Sequence, residues 1–155
     1  MWYRHNFGHD GPEAYLGLGI NAKMSELQTA MGLSVLPYME HIISERKRVC
    51  EYYNEYVNFD NLQKLKLREG TSWNFAYYPI VFESESQLLV TMQKLAVHSI
   101  HPRRYFYPSL EDLPYVNSKQ CPITDDIARR ILCLPLYTTL LNQDLNKIVI
   151  TLNNG

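Results

Sequence analysis

Two adjacent arginines and three aromatic residues stand together in the second half of the sequence. Arg103 and Arg104 are followed by Tyr105, Phe106 and Tyr107. Guanidinium groups donate paired hydrogen bonds to phosphate oxygens and also stack on aromatic rings. The segment therefore indicates a site for an anionic, partly planar ligand, a demand that a nucleotide-sugar would meet. The alternative is an edge strand in which the arginine stems cover apolar surface while the tyrosine rings pack beneath.

Other patterns that could carry chemistry are less convincing. Residues 17–22 fit the G-x-G-x-x-A spacing of a dinucleotide-binding turn, but no convincing strand precedes them, as that turn requires. Two pairs of histidines could be considered as metal ligands, namely His5 with His9 and His98 with His101. Neither pair has a cysteine or carboxylate partner at a persuasive spacing. We therefore expect neither a dinucleotide fingerprint nor a metal site.

Charge and cysteine content restrict the class of protein. The 155 residues include 15 Lys and Arg and 16 Asp and Glu, so a formal net charge of -1 creates no global attraction for nucleic acid or an anionic membrane. The cysteines Cys50, Cys121 and Cys133 are odd in number and widely spaced, which favours reduced thiols. No apolar run approaches the roughly 20 residues of a membrane span, and residues 1–10 lack a signal-peptide core. We expect a soluble, cytoplasmic protein.

The elements that must position these side chains begin with a loop and two helices. Residues 1–23 are rich in Gly and His and show no regular period, which predicts a long ordered loop of the kind found at active sites. Residues 24–70 follow a helical period and form a predicted helical segment. Within it, Gly32 weakens or ends a first helix and Pro37 restarts a longer one that reaches Val57.

Residues 71–155 predict a small α/β domain. We expect strands at 74–82, 99–107 and 131–136, and helices at 86–97, 124–130 and 144–152. Thr124 is the expected cap of its helix, and the two acidic residues after it complement the helix dipole. The predicted fold class is therefore α/β, with a long helix followed by a small sheet of two or three strands flanked by helices.

Four segments together resemble a known family. They are residues 4–12 (RHNFGHDGP), 19–33 (GINAKMSELQTAMGL), 103–110 (RRYFYPSL) and 133–137 (CLPLY). In order and spacing they resemble the DegT/DnrJ/EryC1/StrS sugar aminotransferases, and the match covers nearly the whole chain. The first and third segments are most similar to the 4-aminotransferases of dTDP-linked 4-keto-6-deoxy sugars, of the dTDP-viosamine type. Only the C-terminal part of such an enzyme is matched.

The resemblance implies the C-terminal part of a type I aminotransferase fold that depends on pyridoxal 5'-phosphate (PLP). Such enzymes move an amino group from glutamate to a 4-keto-6-deoxy sugar nucleotide, and PLP supplies the chemistry. In the family, the Schiff-base lysine belongs to a larger domain that precedes the matched region. Lys23 lies inside a matched motif but follows that lysine in sequence and does not replace it. The resemblance therefore implies no catalytic residue in this chain, which is expected to be inactive alone and not to bind PLP by itself.

The resemblance also implies roles for individual residues. Asn21 matches an asparagine that reaches across a two-fold dimer to the phosphate of the neighbour's PLP, although by itself it could be a turn residue or a helix cap. Other residues match an active-site loop and the lining of the sugar-nucleotide pocket, namely His5, Asn6, Arg104, Tyr105 and Tyr107. Many relatives have His or Asn where this chain has Glu111, and an acid there would repel a diphosphate.

The sequence leaves two functions open. The first is the C-terminal portion of an aminotransferase that acts on a dTDP-sugar with glutamate as donor. The second is a non-catalytic module of the same origin that binds sugar nucleotides or forms oligomers. Apolar helix faces without a covering domain would promote a homo-oligomer in either case.

Overall fold

The computed structural model describes residues 2–117 and 121–154. These residues form two compact units, Met1–Glu40 and His41–Gly155, which we name the N-terminal unit and the C-terminal unit. The predicted functional division at 1–23, 24–70 and 71–155 stays a prediction.

Among its described residues, the N-terminal unit combines an irregular loop with one α-helix. A 3-10 turn at Trp2–His5 opens the loop, and helix α1 spans Glu26–Val35. Ser25 begins α1 with a reciprocal cap, because its hydroxyl accepts from the Gln28 backbone N–H at 3.3 Å while the Gln28 side chain accepts from the Ser25 N–H at 2.9 Å. The helix continues through Gly32 to Val35, so this glycine does not end it.

Helix α1 buries none of its residues among those that the structure describes. Its exposed apolar side chains include Leu27, Met31, Leu33 and Val35. A 3-10 turn at Leu36–Tyr38 then contains Pro37 near its start, where the missing N–H of proline costs no helical hydrogen bond. The long helix α2 follows at Met39–Tyr56, as the sequence predicts.

Among the described residues of the C-terminal unit, three strands and three further α-helices follow. In chain order they are β1 Leu62–Lys64, β2 Tyr78–Phe82, α3 Glu85–Val97, α4 Pro122–Arg130, β3 Ile131–Leu134 and α5 Asn142–Asn153, with a 3-10 turn at Leu110–Asp112 before α4. The sheet has the order β1-β2-β3. Both pairings are antiparallel, with Leu62 opposite Phe82 and Ile80 opposite Leu132. The predicted α/β class with a small sheet is confirmed.

The core of this unit joins α2, α3 and α5 to the sheet. Its most deeply buried side chains include Tyr53, Ile80, Leu88, Leu95, Leu132 and Leu145. On β2, the alternation of buried and half-buried residues is the strand period of two, and Tyr78, Ile80 and Phe82 face inward. Burial of these apolar surfaces is the main force that holds the helices on the sheet.

Several predicted boundaries differ from the structure for local reasons. Residues 99–107 do not form a strand, because Pro102 cannot donate to a ladder, and only Arg103 makes a β-bridge, with Cys133. The strand expected at 74–82 begins at Tyr78, since Phe75 has a left-handed φ of 52° that interrupts the extended chain. Strand β1 was not predicted, because three residues are too few to show a period.

Helix α4 begins earlier than the sequence indicates. Pro122 occupies its first turn and Cys121 is the cap residue, so the assignment of Thr124 as cap was wrong. The acids that follow have the structural role expected of them. Asp125 pairs with Arg129 and Asp126 with Arg130, each four residues along the helix. The hydrogen bond from Arg130 lowers the pKa of Asp126.

Among the described residues, no helix is both long enough and apolar enough to cross a membrane.

Candidate functional site

The segment that carries Arg103 and Tyr105 lies along the free edge of β3. Its backbone is held by two hydrogen bonds, from the Arg103 N–H to the Cys133 carbonyl at 3.3 Å and from the Cys133 N–H to the Arg103 carbonyl at 2.8 Å. Burial raises the pKa of the Cys133 thiol, and a hydrogen bond with the Tyr105 backbone opposes this rise. The thiol is therefore a neutral anchor for the segment rather than a nucleophile.

A cavity of about 380 Å³ opens beside this anchored segment. Its polar and aromatic lining comes from Tyr77, His101, Arg103, Tyr105 and Tyr137. The rings of Tyr77 and Tyr105 meet edge to face, with centroids 5.4 Å apart. A cavity of this size, with aromatic walls and one guanidinium group, has the chemistry of a site for a small planar anion.

Arg103 brings a positive charge to the cavity. Its guanidinium donates to the Tyr105 hydroxyl and lies 5.6 Å from the centre of the same ring. None of the ion pairs found within residues 2–117 and 121–154 includes Arg103. The side chain is exposed, so its charge is available to an anionic ligand.

Arg104 lies in a different environment from its neighbour. One of its terminal nitrogens is 2.7 Å from a Glu85 carboxylate oxygen and 2.7 Å from the Arg129 carbonyl oxygen. Its guanidinium also covers the Tyr107 ring at 3.6 Å, and the side chain is only 14% exposed. The structure thus joins Arg104 to Tyr107 but does not place either of them in the lining of the cavity, where Tyr105 stands.

The residues predicted near PLP lie in the loop of the N-terminal unit. Asn6 and Asn21 form a β-bridge, and the His5 carbonyl accepts from the Ala22 N–H at 2.9 Å. The structure therefore brings His5, Asn6 and Asn21 to one short ladder. Asn21 is exposed, and it does not cap α1, because Ser25 has that role.

Glycine is required where this ladder comes close to a second stretch of the loop. A Cβ on Gly19 would lie 2.2 Å from the Gly8 backbone nitrogen, and one on Gly8 would lie 1.8 Å from the Gly17 carbonyl oxygen. Both contacts are impossible for a side-chain carbon. Gly8 and Gly19 thus serve close backbone packing, whereas a Cβ on Gly17 would make only an ordinary contact with the Tyr3 ring at 3.8 Å.

The lysines that the structure describes lie on the surface of the protein. A lysine that forms an imine must present a neutral amine, which burial or a neighbouring cation favours. The lysines within the described ranges are all exposed, and they are Lys23, Lys47, Lys64, Lys66, Lys94 and Lys147, whereas Lys119 lies outside those ranges. Several already have partners, such as Glu51 for Lys47 and Asp144 for Lys147.

Sequence reasoning missed part of the cavity. Tyr77 and His101 are brought to it by the turn into β2 and by the bridge of Arg103 to β3, and neither belongs to a matched segment. Tyr137 ends the fourth matched segment, so that segment was the available signal. Glu111, the expected departure from the family, is half-buried, and one of its carboxylate oxygens is buried without a hydrogen-bond partner among the described residues.

The fold defines the class of protein. Nearly the whole chain, 99% of it, superposes on 41% of the solved structure of DesI in the presence of its TDP-sugar product, with a TM-score of 0.81 and 28% sequence identity. The sugar aminotransferase CalS13 from Micromonospora echinospora has the same fold over 99% of this chain and 43% of its own, with a TM-score of 0.83 at 17% identity. The architecture is that of the C-terminal part of a sugar aminotransferase.

The sequence identifies the family within this class. Residues 2–153 match the model of the DegT/DnrJ/EryC1/StrS aminotransferase family, and the chain belongs to that family. This confirms the resemblance found in the four segments. Members of the family are PLP-dependent aminotransferases.

Curated relatives are considerably longer than this chain. The dTDP-4-amino-4,6-dideoxy-D-glucose transaminase of Escherichia coli is 30% identical over 92% of this chain and 41% of its own length. The GDP-perosamine synthase of Escherichia coli O157:H7 is 24% identical over 88% of this chain and 37% of its own length. The chain thus spans about two fifths of the first of these relatives.

Proposed function

We propose that this chain is the C-terminal portion of a PLP-dependent aminotransferase that moves an amino group from glutamate to a 4-keto-6-deoxy sugar nucleotide, with a dTDP-sugar as substrate. The observation that carries the proposal is the cavity at the edge of β3, because it combines tyrosine rings with an uncompensated guanidinium group in a member of this family. Tyrosine rings suit a base or a sugar ring, and the guanidinium suits a phosphate.

The chain's own residues shape the site or contact the ligand in this proposal. Arg104, Tyr105 and Tyr107 belong to the segment that shapes the sugar-nucleotide pocket, with Tyr105 in the cavity wall. His5 and Asn6 hold the backbone of the loop from which Asn21 presents an exposed amide. We assign to that amide a hydrogen bond to the phosphate of PLP held by a partner subunit, for which a neutral side-chain donor is suited.

PLP, when bound, would supply the electron sink for transamination. We assign its covalent attachment to none of the exposed lysines of the described residues. We therefore propose that this chain is not catalytically competent alone and that the attachment comes from the portion of the relatives that this chain does not cover.

A reduction experiment tests the absence of a covalent PLP site. When PLP is added to the purified chain and then treated with borohydride, we expect no more lysine-linked chromophore than in the same chain unfolded in urea. The reason is that exposed amines react with PLP weakly and without selectivity, whether the chain is folded or not. A single lysine labelled stoichiometrically only in the folded chain would contradict the proposal.

Complementation tests the catalytic role itself. The chain would be co-expressed with the portion of the Escherichia coli relative that it does not cover, and transamination from glutamate to dTDP-4-keto-6-deoxyglucose would be measured. Activity that needs both parts supports the aminotransferase proposal. Turnover by this chain alone, with only PLP and donor added, would overturn it.

A second function is favoured by the exposed apolar side chains of α1. Leu27, Met31 and Leu33 are 74%, 64% and 65% exposed, and such surfaces promote association. In this alternative the chain is a non-catalytic module that binds sugar nucleotides or forms a homo-oligomer. Light scattering is then expected to find a dimer or larger species, which the variant Leu27→Glu with Met31→Glu shifts toward monomer. A monomeric wild-type chain at micromolar concentration would contradict the oligomer in both functions.

A further inference from the structure

The adjacent residues Arg103 and Arg104 have the same chemistry but opposite electrostatic situations. Arg103 is exposed and belongs to no ion pair within the described part of the chain. The side chain of Arg104 is only 14% exposed, and it forms an ion pair with Glu85. The two side chains therefore cannot serve the same purpose.

The positive charge of Arg104 is balanced by groups of the protein itself. The Glu85 carboxylate neutralises it at 2.7 Å, and the Arg129 carbonyl at the end of α4 accepts from the same nitrogen at 2.7 Å. Its Nε is buried and has no acceptor among the described residues, so a ligand could reach that atom only by entering packed protein. A diphosphate near Arg104 would also have to approach the Glu85 carboxylate, which would repel it.

These contacts make Arg104 a link between three parts of the C-terminal unit. Glu85 lies in the first turn of α3, Arg129 lies in the last turn of α4, and the Tyr107 ring is on the segment that Arg104 itself belongs to. A guanidinium that bonds two helices from one segment fixes the path of that segment. The path of residues 103–107 decides where Arg103 and Tyr105 stand.

Arg103, in contrast, is held in place by its backbone, and its guanidinium forms no ion pair with the described residues. Its backbone is fixed to β3 through both hydrogen bonds with Cys133. The Tyr105 hydroxyl accepts from one terminal nitrogen of the guanidinium, which leaves other N–H groups for a ligand. The lining of the cavity includes Arg103 but not Arg104.

We propose that Arg103 binds the diphosphate of a nucleoside-diphosphate sugar in the cavity beside Tyr77, Tyr105 and Tyr137, and that Arg104 is a positioning residue that holds the segment through Glu85. This inference rests on the proposed function, which names a sugar nucleotide as ligand. It assigns the phosphate contact to the first arginine of the pair and the base or sugar to the tyrosine walls.

Titration calorimetry with dTDP tests the assignment on three matched variants, Arg103→Gln, Arg104→Gln and Glu85→Gln. We expect Arg103→Gln to weaken dTDP binding about 10- to 100-fold, because a hydrogen bond to a charged group is lost, and to leave the midpoint of thermal unfolding unchanged. We expect Arg104→Gln and Glu85→Gln to lower that midpoint and to weaken binding by smaller factors, because both remove the ion pair between Arg104 and Glu85.

The salt dependence of binding separates contact from positioning. A direct ion contact makes affinity fall as salt rises, so Arg103→Gln should flatten this dependence. Arg104→Gln and Glu85→Gln should retain the wild-type dependence even where they weaken binding. If Arg104→Gln does not fold, Glu85→Gln still tests the positioning role, since Arg104 is then intact but has lost its ion pair with Glu85.

Each alternative outcome has a distinct meaning. If Arg103→Gln binds dTDP like wild type with an unchanged salt dependence, the assignment to Arg103 is overturned while the proposed function stands. If the flattened salt dependence occurs in Arg104→Gln instead, the roles of the two arginines are reversed and the inference fails. If the wild-type chain binds neither dTDP nor a dTDP-sugar at millimolar concentration, the inference and the sugar-nucleotide site of the proposed function both fail.

Discussion

Replacing Tyr53 by alanine is expected to lower the free energy of unfolding by about 3–5 kcal/mol, the range found when large aromatic residues are removed from cores. Tyr53 has no exposed surface, and its ring packs on that of Tyr78 with centroids 5.0 Å apart. The loss is a large part of the stability of about 5–15 kcal/mol that is typical of a domain. Urea denaturation followed by circular dichroism measures it.

The control for this change lies on the same helix. Tyr56 is 48% exposed, so Tyr56→Ala should cost less than about 1 kcal/mol. Equal losses at Tyr53 and Tyr56 would contradict the described orientation of α2. Such a result would also remove the reason for placing α2 against the sheet.

The hydroxyl of Tyr53 gives this residue a second role, close to the cavity. It donates to the Pro135 carbonyl oxygen at 2.8 Å, and Pro135 belongs to the cavity wall. Burial raises the pKa of Tyr53, so the phenol stays protonated and remains a donor throughout the neutral range. Tyr53→Phe keeps the ring and removes the donor, and we expect it to cost about 1–3 kcal/mol because a carbonyl is left without its partner.

Replacing Leu88 by alanine is expected to lower the free energy of unfolding by about 2–5 kcal/mol. Leu88 lies on α3 with no exposed surface and belongs to the core cluster with Leu95. Removal of its side chain leaves a cavity and loses the transfer free energy of three carbons. Chemical denaturation with an unchanged slope would show that the effect is on stability rather than on the compactness of the unfolded state.

The chain offers a closely matched control one position further along. Leu89 is the same residue type on the same helix, is 44% exposed, and would undergo the same substitution. Helix propensity changes equally at both sites, so the difference between Leu88→Ala and Leu89→Ala reports burial alone. We expect Leu89→Ala to change stability by less than about 1 kcal/mol. If Leu89→Ala is the more damaging change, the packing of α3 on the core is misassigned.

Local pattern was sufficient for most of the elements. The three-to-four spacing of apolar residues predicted α2, and the core positions Val49, Cys50 and Tyr53 follow that spacing. The short strands were harder to predict. Strand β1 has only three residues. The bridge of Arg103 to Cys133 depends on a strand that lies 30 residues further along the sequence. Pairing between distant segments leaves no periodic trace in either one.

By itself the sequence determined the family, the α/β class and the segment in which a ligand site should lie, because residue types and short spacings carry that information. Only the tertiary structure decided which of two adjacent arginines has a charge that is free to bind a ligand. Arg104 donates hydrogen bonds to Glu85 and to the Arg129 carbonyl, and both acceptors belong to helices that folding brings close to it. A guanidinium's availability depends on its neighbours in space, and at this position the neighbours are distant in sequence.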